Sequence, residues 1–162
     1  MKHRIKDTAY YINKHTDIVD LGSGKGEYYQ LVDTKKHHIF AVDHSPLFLN
    51  HIKLDYPDVT IIPADVSNTG LMSKAFDLVV MAQVIEHIKE YEPVILEAKR
   101  LCKDDGYFYI GLPTNDPDHG HVHPTWTLDD VISLSKVFGE LIELKRIGKL
   151  NTWSIYVKNN GG

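Results

Sequence analysis

The chain has 162 residues, of which 43% are hydrophobic and 25% charged, with a formal net charge of −4. That size and balance suit one soluble globular domain with a real core, and the acidic charge argues against a general nucleic-acid binder, which needs a basic face. A single cysteine, Cys102, rules out an internal disulfide, and no apolar run reaches membrane-spanning length.

The segment "MKHRIKDTAYY" lacks the apolar stretch of a signal peptide, so a cytoplasmic enzyme or binding domain is expected. Within it, "TAYYINKH" fits a short helix carrying Tyr10 and Tyr11. "DIVDLG" (17–22) predicts the first strand, and residues 25–33 predict a helix after it. "HHIFAVD" (37–43) is the second strand. "PLFLNHIKLDY" (46–56) has helical spacing, with Ser45 as N-cap and Pro46 in the first turn. "VTIIPAD" (59–65) is the third strand. "AFDLVVMAQV" (75–84) is nearly all apolar, as a strand buried on both faces should be. "EYEPVILEAKRLCKDDG" (90–106) predicts a helix that Gly106 ends, which would bury Cys102 as a structural thiol. "YFYIGLP" (107–113) is the fifth strand. "TLDDVISLSKVFG" (127–139) is a helix capped by Thr127, with Asp129 and Asp130 in its first turn. "ELIELKRIG" and "TWSIYVKN" are strand-like runs joined only by "KLN", which forces an antiparallel hairpin. Five βα units and a hairpin make an α/β chain with a mostly parallel sheet between helices.

Ligands in such sheets bind outside the carboxyl ends of the strands. Gly22, Gly24 and Gly26 stand there, behind the first strand, where bare backbone lets a ligand approach closely. The plainer reading is a tight turn. Asp43 ends the second strand, where a carboxylate can accept from both ribose hydroxyls. Asp65 ends the third, where it can accept from an exocyclic amine. Each acid could instead cap a following helix.

With those residues in place, "VDLGSGKGEY" resembles the first motif of class I S-adenosylmethionine-dependent methyltransferases, an acid followed by G-x-G-x-G. "AVDHS" resembles that family's ribose-binding acid and its neighbour, "PADV" its adenine-contacting acid, and "FDLVVMAQVIEHI" its fourth-strand motif. "AKRLCKDDGYFYIGLP" resembles the helix and fifth strand that follow, and the terminal hairpin matches the family's last two strands. The likeness runs from about Asp17 to Lys158. It implies one domain over residues 1–162, a three-layer Rossmann-like methyltransferase sandwich with a seven-stranded sheet. It implies S-adenosyl-L-methionine as cofactor, held by Asp20, Gly22, Ser23, Gly24, Gly26, Asp43, His44, Asp65, Val66 and Gln83. The tyrosines of the N-terminal segment would then pack over that cofactor or on the sheet edge.

"QVIEHI" (83–88) follows the fourth strand, where the acceptor should meet the methyl group. His87 titrates in the range a general base needs, and Glu86 is the next candidate. Alternatively, Glu86 caps a helix and His87 hydrogen-bonds in the core. Relatives with E-x-x-E-H here are associated with a divalent metal, but Gln83 replaces the first acid, and an amide is a poorer ligand for a hard cation. No metal is therefore assigned. A second cluster, "DPDHGHVHPTW" (116–126), puts His119, His121 and His123 on one face of an extended loop. It reads as a substrate-lining loop. The rival reading joins His121 and His123 to Glu86 and His87 as the metal site of an RNA 2′-O-methyltransferase. The expected reaction is methyl transfer to oxygen or nitrogen of a small molecule or sugar-containing acceptor, with nucleic acid disfavoured and no membrane partner. A shallow pocket leaves room for a second copy or a partner subunit to complete the site. A non-catalytic, cofactor-binding partner subunit is the alternative from another class.

Overall fold

The computed structural model describes residues 2–114, 122–123, 125–148 and 152–161. Helix α1 (Lys2–Ile12) leads into β1 (Asp17–Leu21), β2 (His38–Asp43), α2 (Pro46–Asp55), β3 (Thr60–Pro63) and β4 (Phe76–Ala82). Then come α3 (Glu92–Leu101), β5 (Cys102–Pro113), α4 (Leu128–Phe138), β6 (Gly139–Ile147) and β7 (Thr152–Asn159). The seven strands lie in the order β3-β2-β1-β4-β5-β7-β6. The first five run parallel, and β7 inserts antiparallel between β5 and β6. The expected α/β sandwich and terminal hairpin are both present. The "KLN" connection lies outside the described residues.

The apolar strands alternate between two cores, because successive side chains point to opposite faces. Val19, Leu21, Val79 and Met81 pack with α3 and α4, whereas Ile18, Leu78 and Val80 pack with α1 and α2. Helix α1 lies flat on the second face, not over its edge. Tyr11 is buried against the rings of Tyr109 and Tyr156, while Tyr10 stays exposed. Both predicted caps are present: Ser45 Oγ accepts from the Phe48 N–H, and Thr127 forms a reciprocal capping box with Asp130.

Three local expectations change. The helix expected over 25–33 is a short 3₁₀ turn, Glu27–Leu31, and β1 and β3 each reach the next strand without an α-helix. The β3–β4 connection is fastened from α3 instead. Glu97 Oε1 accepts from the Thr69 N–H at 2.8 Å and its hydroxyl at 2.6 Å, and Arg100 donates to the Leu71 carbonyl. The Arg100 guanidinium holds the Glu97 carboxyl down to about 2. Finally, α3 stops at Leu101, because Cys102 is extended and pairs with Phe76 of β4. Gly106 ends no helix. A Cβ there would lie 2.7 Å from Cys102 Sγ and 3.1 Å from the Asp77 carbonyl, so the bare residue allows close approach of the bulged strand. Cys102 is buried as expected, and desolvation pushes its thiol up to about 12.

Candidate cofactor and active site

The order of strands reverses between β1 and β4, and their carboxyl ends open a cavity of about 560 Å³. Gly22, Gly24, Asp43, Asp65, Gln83 and His87 are on its wall, together with His44 and Val66. A smaller hollow of about 190 Å³ adjoins it, sharing Gly22, Gly24 and Gln83 and adding Ser23. Eight of the ten residues expected to hold a cofactor thus border these two adjoining hollows.

The glycine loop is built from positive backbone angles. Gly22, Gly24 and Gly26 have φ of 71°, 53° and 65°, the left-handed region that side chains resist. Their surroundings differ. A Cβ on Gly26 would meet the Tyr29 ring at 2.4 Å, so this glycine serves packing beneath the loop. A Cβ on Gly24 would meet nothing within 4 Å, because that position faces open space. The loop is tied to the neighbouring strand by the Gly22 and Ser23 N–H groups, both donating to the Val42 carbonyl.

The two acids beside the loop are placed oppositely. Asp43 Oδ2 accepts from the Gly24 N–H at 2.9 Å and Oδ1 from the Ser45 N–H at 2.8 Å, which fixes the carboxylate at the cavity wall. A carboxylate offers about four lone-pair sites, so acceptor capacity remains for ligand hydroxyls. Asp20 departs from expectation. It is fully buried behind the loop, where Oδ2 accepts from the hydroxyls of Tyr28 and Tyr29. Burial raises its carboxyl to about 6 against the pull of those two donors. Neither Asp20 nor Gly26 borders the cavity. Both shape the loop from below.

Asp65 makes a tight local turn, accepting at Oδ1 from the Ser67 N–H and hydroxyl, and these bonds lower its carboxyl from the usual range. Gln83 has φ of 65°, an uncommon angle for a residue with a side chain. Its N–H donates to the Gly111 carbonyl, which holds the backbone in that turn. Its Oε1 accepts from Arg4 Nη1 at 2.9 Å, and its Nε2 has no hydrogen-bond partner among the described residues.

Of the two expected bases, only His87 reaches the cavity wall, where it is exposed. Glu86 is fully buried in the same 3₁₀ turn, Ile85–His87. Its backbone carbonyl accepts the N–H groups of Val122 and His123, which ties the segment after β5 to the turn that carries His87. His123 Nε2 lies 3.3 Å from the Lys89 carbonyl, and its ring packs on Tyr91 and Trp126. His119 and His121 lie outside the described residues. Among the described residues, no three His, Cys, Asp or Glu side chains gather into a metal-binding group.

A family profile described as "Methyltransferase domain" matches residues 19–110, more than half of the chain. The chain belongs to the methyltransferase-domain family. Its motifs and strand order are those expected of a class I member. A probable S-adenosylmethionine-dependent methyltransferase of Mycobacterium tuberculosis is 27% identical over 97 residues, 60% of this chain and 35% of the relative. A homologous protein of Mycolicibacterium smegmatis is 26% identical over the same length. The chain thus spans about a third of the length of these curated relatives. The 1,6-didemethyltoxoflavin-N1-methyltransferase of Burkholderia thailandensis, solved with 1,6-didemethyltoxoflavin and S-adenosylhomocysteine, superposes with a TM-score of 0.80 at 15% identity. That match covers 96% of this chain and 78% of that one. A TehB-like methyltransferase of Corynebacterium glutamicum gives 0.71 at 20% identity, covering 96% and 86%. These likenesses carry the fold.

For a methyltransferase-family member the residues present suit an adenosyl cofactor. Gly24 leaves space where a side chain would stand, Asp43 and Asp65 are acceptors for hydroxyl and amine, and Gln83 presents a donor without a partner. Sequence reasoning missed Arg4, Lys25 and Glu27, which border the smaller hollow. Arg4 had a signal: it shares a helical face with Thr8 and Tyr11, at i, i+4 and i+7, and both of those are buried. No helix among the described residues is long and apolar enough to cross a membrane.

Proposed function

We propose that this chain binds S-adenosyl-L-methionine and transfers its methyl group to oxygen or nitrogen of a small-molecule or sugar-containing acceptor. The observation that carries the reading is the cavity at the strand-order switch, lined by bare backbone at Gly24 and by the acids Asp43 and Asp65. The cofactor, when bound, supplies a methyl group on a positively charged sulfur. Asp43 binds the ribose hydroxyls, Asp65 accepts from the adenine amine, and the loop backbone at Gly24 lets the ligand lie close. Gln83 orients the methionine end through its free amide donor. His87 stands at the cavity wall and accepts the proton that the acceptor hydroxyl or amine loses. Glu86 holds that turn in place through its backbone carbonyl. Methyl transfer needs chiefly alignment of nucleophile and methyl carbon, so a rigid strand-end crevice is the right scaffold. The acceptor class rests on the chain's net charge of −4, which opposes a polyanionic substrate.

The test uses methyl-labelled S-adenosylmethionine with a panel of hydroxyl and amine acceptors, small molecules and glycans, and an RNA arm. Label transfer to one non-nucleic-acid class, with His87→Ala lowering kcat far more than it weakens S-adenosylhomocysteine binding, supports the reading. Transfer only to RNA, or no binding of S-adenosylhomocysteine, overturns it.

A further inference from the structure

A groove of about 480 Å³ lies between α3 and α4 and shares no bordering residue with the cofactor cavity. Its wall is largely apolar. Ile95 and Leu134 are buried in it, whereas Leu96 and Val137 stand 68% and 47% exposed. Single exposed apolar residues are ordinary, but two that border one hollow on adjacent helices make a patch.

The topology makes the two helices run the same way. Strand β5 is parallel to β4, and β6 is parallel to β5 because β7 is antiparallel to both. Each helix crosses back between two parallel strands, so α3 and α4 both run against β5 and alongside each other. Charge follows that shared direction. On α3, Glu92, Leu96 and Lys99 fall at i, i+4 and i+7, and on α4, Asp129, Ser133 and Lys136 repeat the spacing. Each helix thus presents a stripe with an acid at its start and a base at its end. All six residues except the half-buried Lys99 are exposed. Lys99 Nζ donates to the Val137 carbonyl at 3.0 Å, and an ammonium has two further donors to give.

We propose that this α3–α4 face binds a second copy of the chain across a two-fold axis that lies in the face, perpendicular to the helices, near Leu96. Charge complementarity selects that occupant and that axis. The operation sets α3 against α3 and α4 against α4 in opposite directions. Glu92 and Asp129 of one copy then meet Lys99 and Lys136 of the other, and Leu96 of each packs into the facing groove. An axis along the helices would bring acid ends onto acid ends. An apolar centre with charged margins is the layout of an interface core and rim. A face two helices wide is small for a specific contact, so the dimer should be weak, with Kd on the order of 10 μM. The proposal does not depend on the reaction assigned to the cofactor cavity.

The experiment is sedimentation equilibrium of the full chain over about 1 to 500 μM. The unaltered protein should pass from the mass of one chain to twice that mass. Leu96→Glu puts like charges together at the centre and should raise Kd about a hundredfold. Leu96 is 68% exposed, so this variant should keep the fold, which its circular dichroism checks. Glu92→Lys should raise Kd about tenfold, and adding Lys99→Glu should bring it back within about threefold of the unaltered value, because the pairs re-form with their signs exchanged. A single-chain mass throughout the range overturns the proposal. A dimer whose Kd Leu96→Glu leaves within about twofold overturns it too, since the contact then lies on another face. Failure of the double exchange to recover the loss overturns the antiparallel arrangement.

Discussion

The ends of β1 and β2 carry the same residue type at neighbouring positions, yet Asp20 and Asp43 do different work. Register explains it. Asp20 sits opposite Ala41 within the sheet, whereas Asp43 is the last residue of β2 and pairs with Pro63 of β3. Asp20 is thus a step inside the sheet, covered by its own loop, with Tyr28 and Tyr29 donating to it. Asp43 is level with the glycine loop and, although only 7% exposed, lines the cavity. The lesson is that an acid's depth relative to the strand end sets its role, and motif position alone does not.

That contrast can be broken or sharpened by substitution. The largest effect is expected at the open acid. Asp43→Ala removes the carboxylate proposed to meet the ribose and the anchor of the Gly24 N–H, and should weaken S-adenosylhomocysteine about a thousandfold by calorimetry. The sealed acid acts on stability instead. The Asp20 carboxyl is raised from 3.8 to about 6 in the folded protein, so the folded state holds its proton more tightly than the unfolded chain. Stability should therefore fall as pH rises from about 4 to about 6, by about 3 kcal/mol, and then level off. In Asp20→Asn, urea unfolding across that window should lack this component, and an unchanged slope would remove Asp20 as its source.

The glycines give the next effect. Gly26→Ala drives a Cβ into the buried Tyr29 ring at a positive φ and should cost about 2 kcal/mol of stability. Gly24→Ala, facing open space, should cost less stability but weaken S-adenosylhomocysteine more than Gly26→Ala does. The smallest effect is Tyr28→Phe, which removes one of the two donors to Asp20. It should cost about 1 kcal/mol, seen in the unfolding midpoint, with ligand affinity nearly unchanged.

Most of the architecture was legible in the residues. Continuous apolar runs such as "FDLVVMA" announced strands covered on both faces, and the short "KLN" link left only an antiparallel hairpin. What escaped was what depends on partners far along the chain. Nothing local shows that Gly106 must let Cys102 and Asp77 approach, or that Glu97 replaces a helix after β3 by fastening Thr69. That Asp43 and Asp65 would stand at strand ends beside the cavity was readable from spacing, but the depth of Asp20 needed the β1–β2 register. Arg4 needed the packing of α1, which its amphipathic face alone could have suggested.

The most direct measurement is a crystal structure of the chain grown with S-adenosylhomocysteine. The account predicts density from Asp65 past Asp43 and Gly24 into the hollow beside Arg4. Density elsewhere, or a crevice closed by the protein's own side chains, would contradict it.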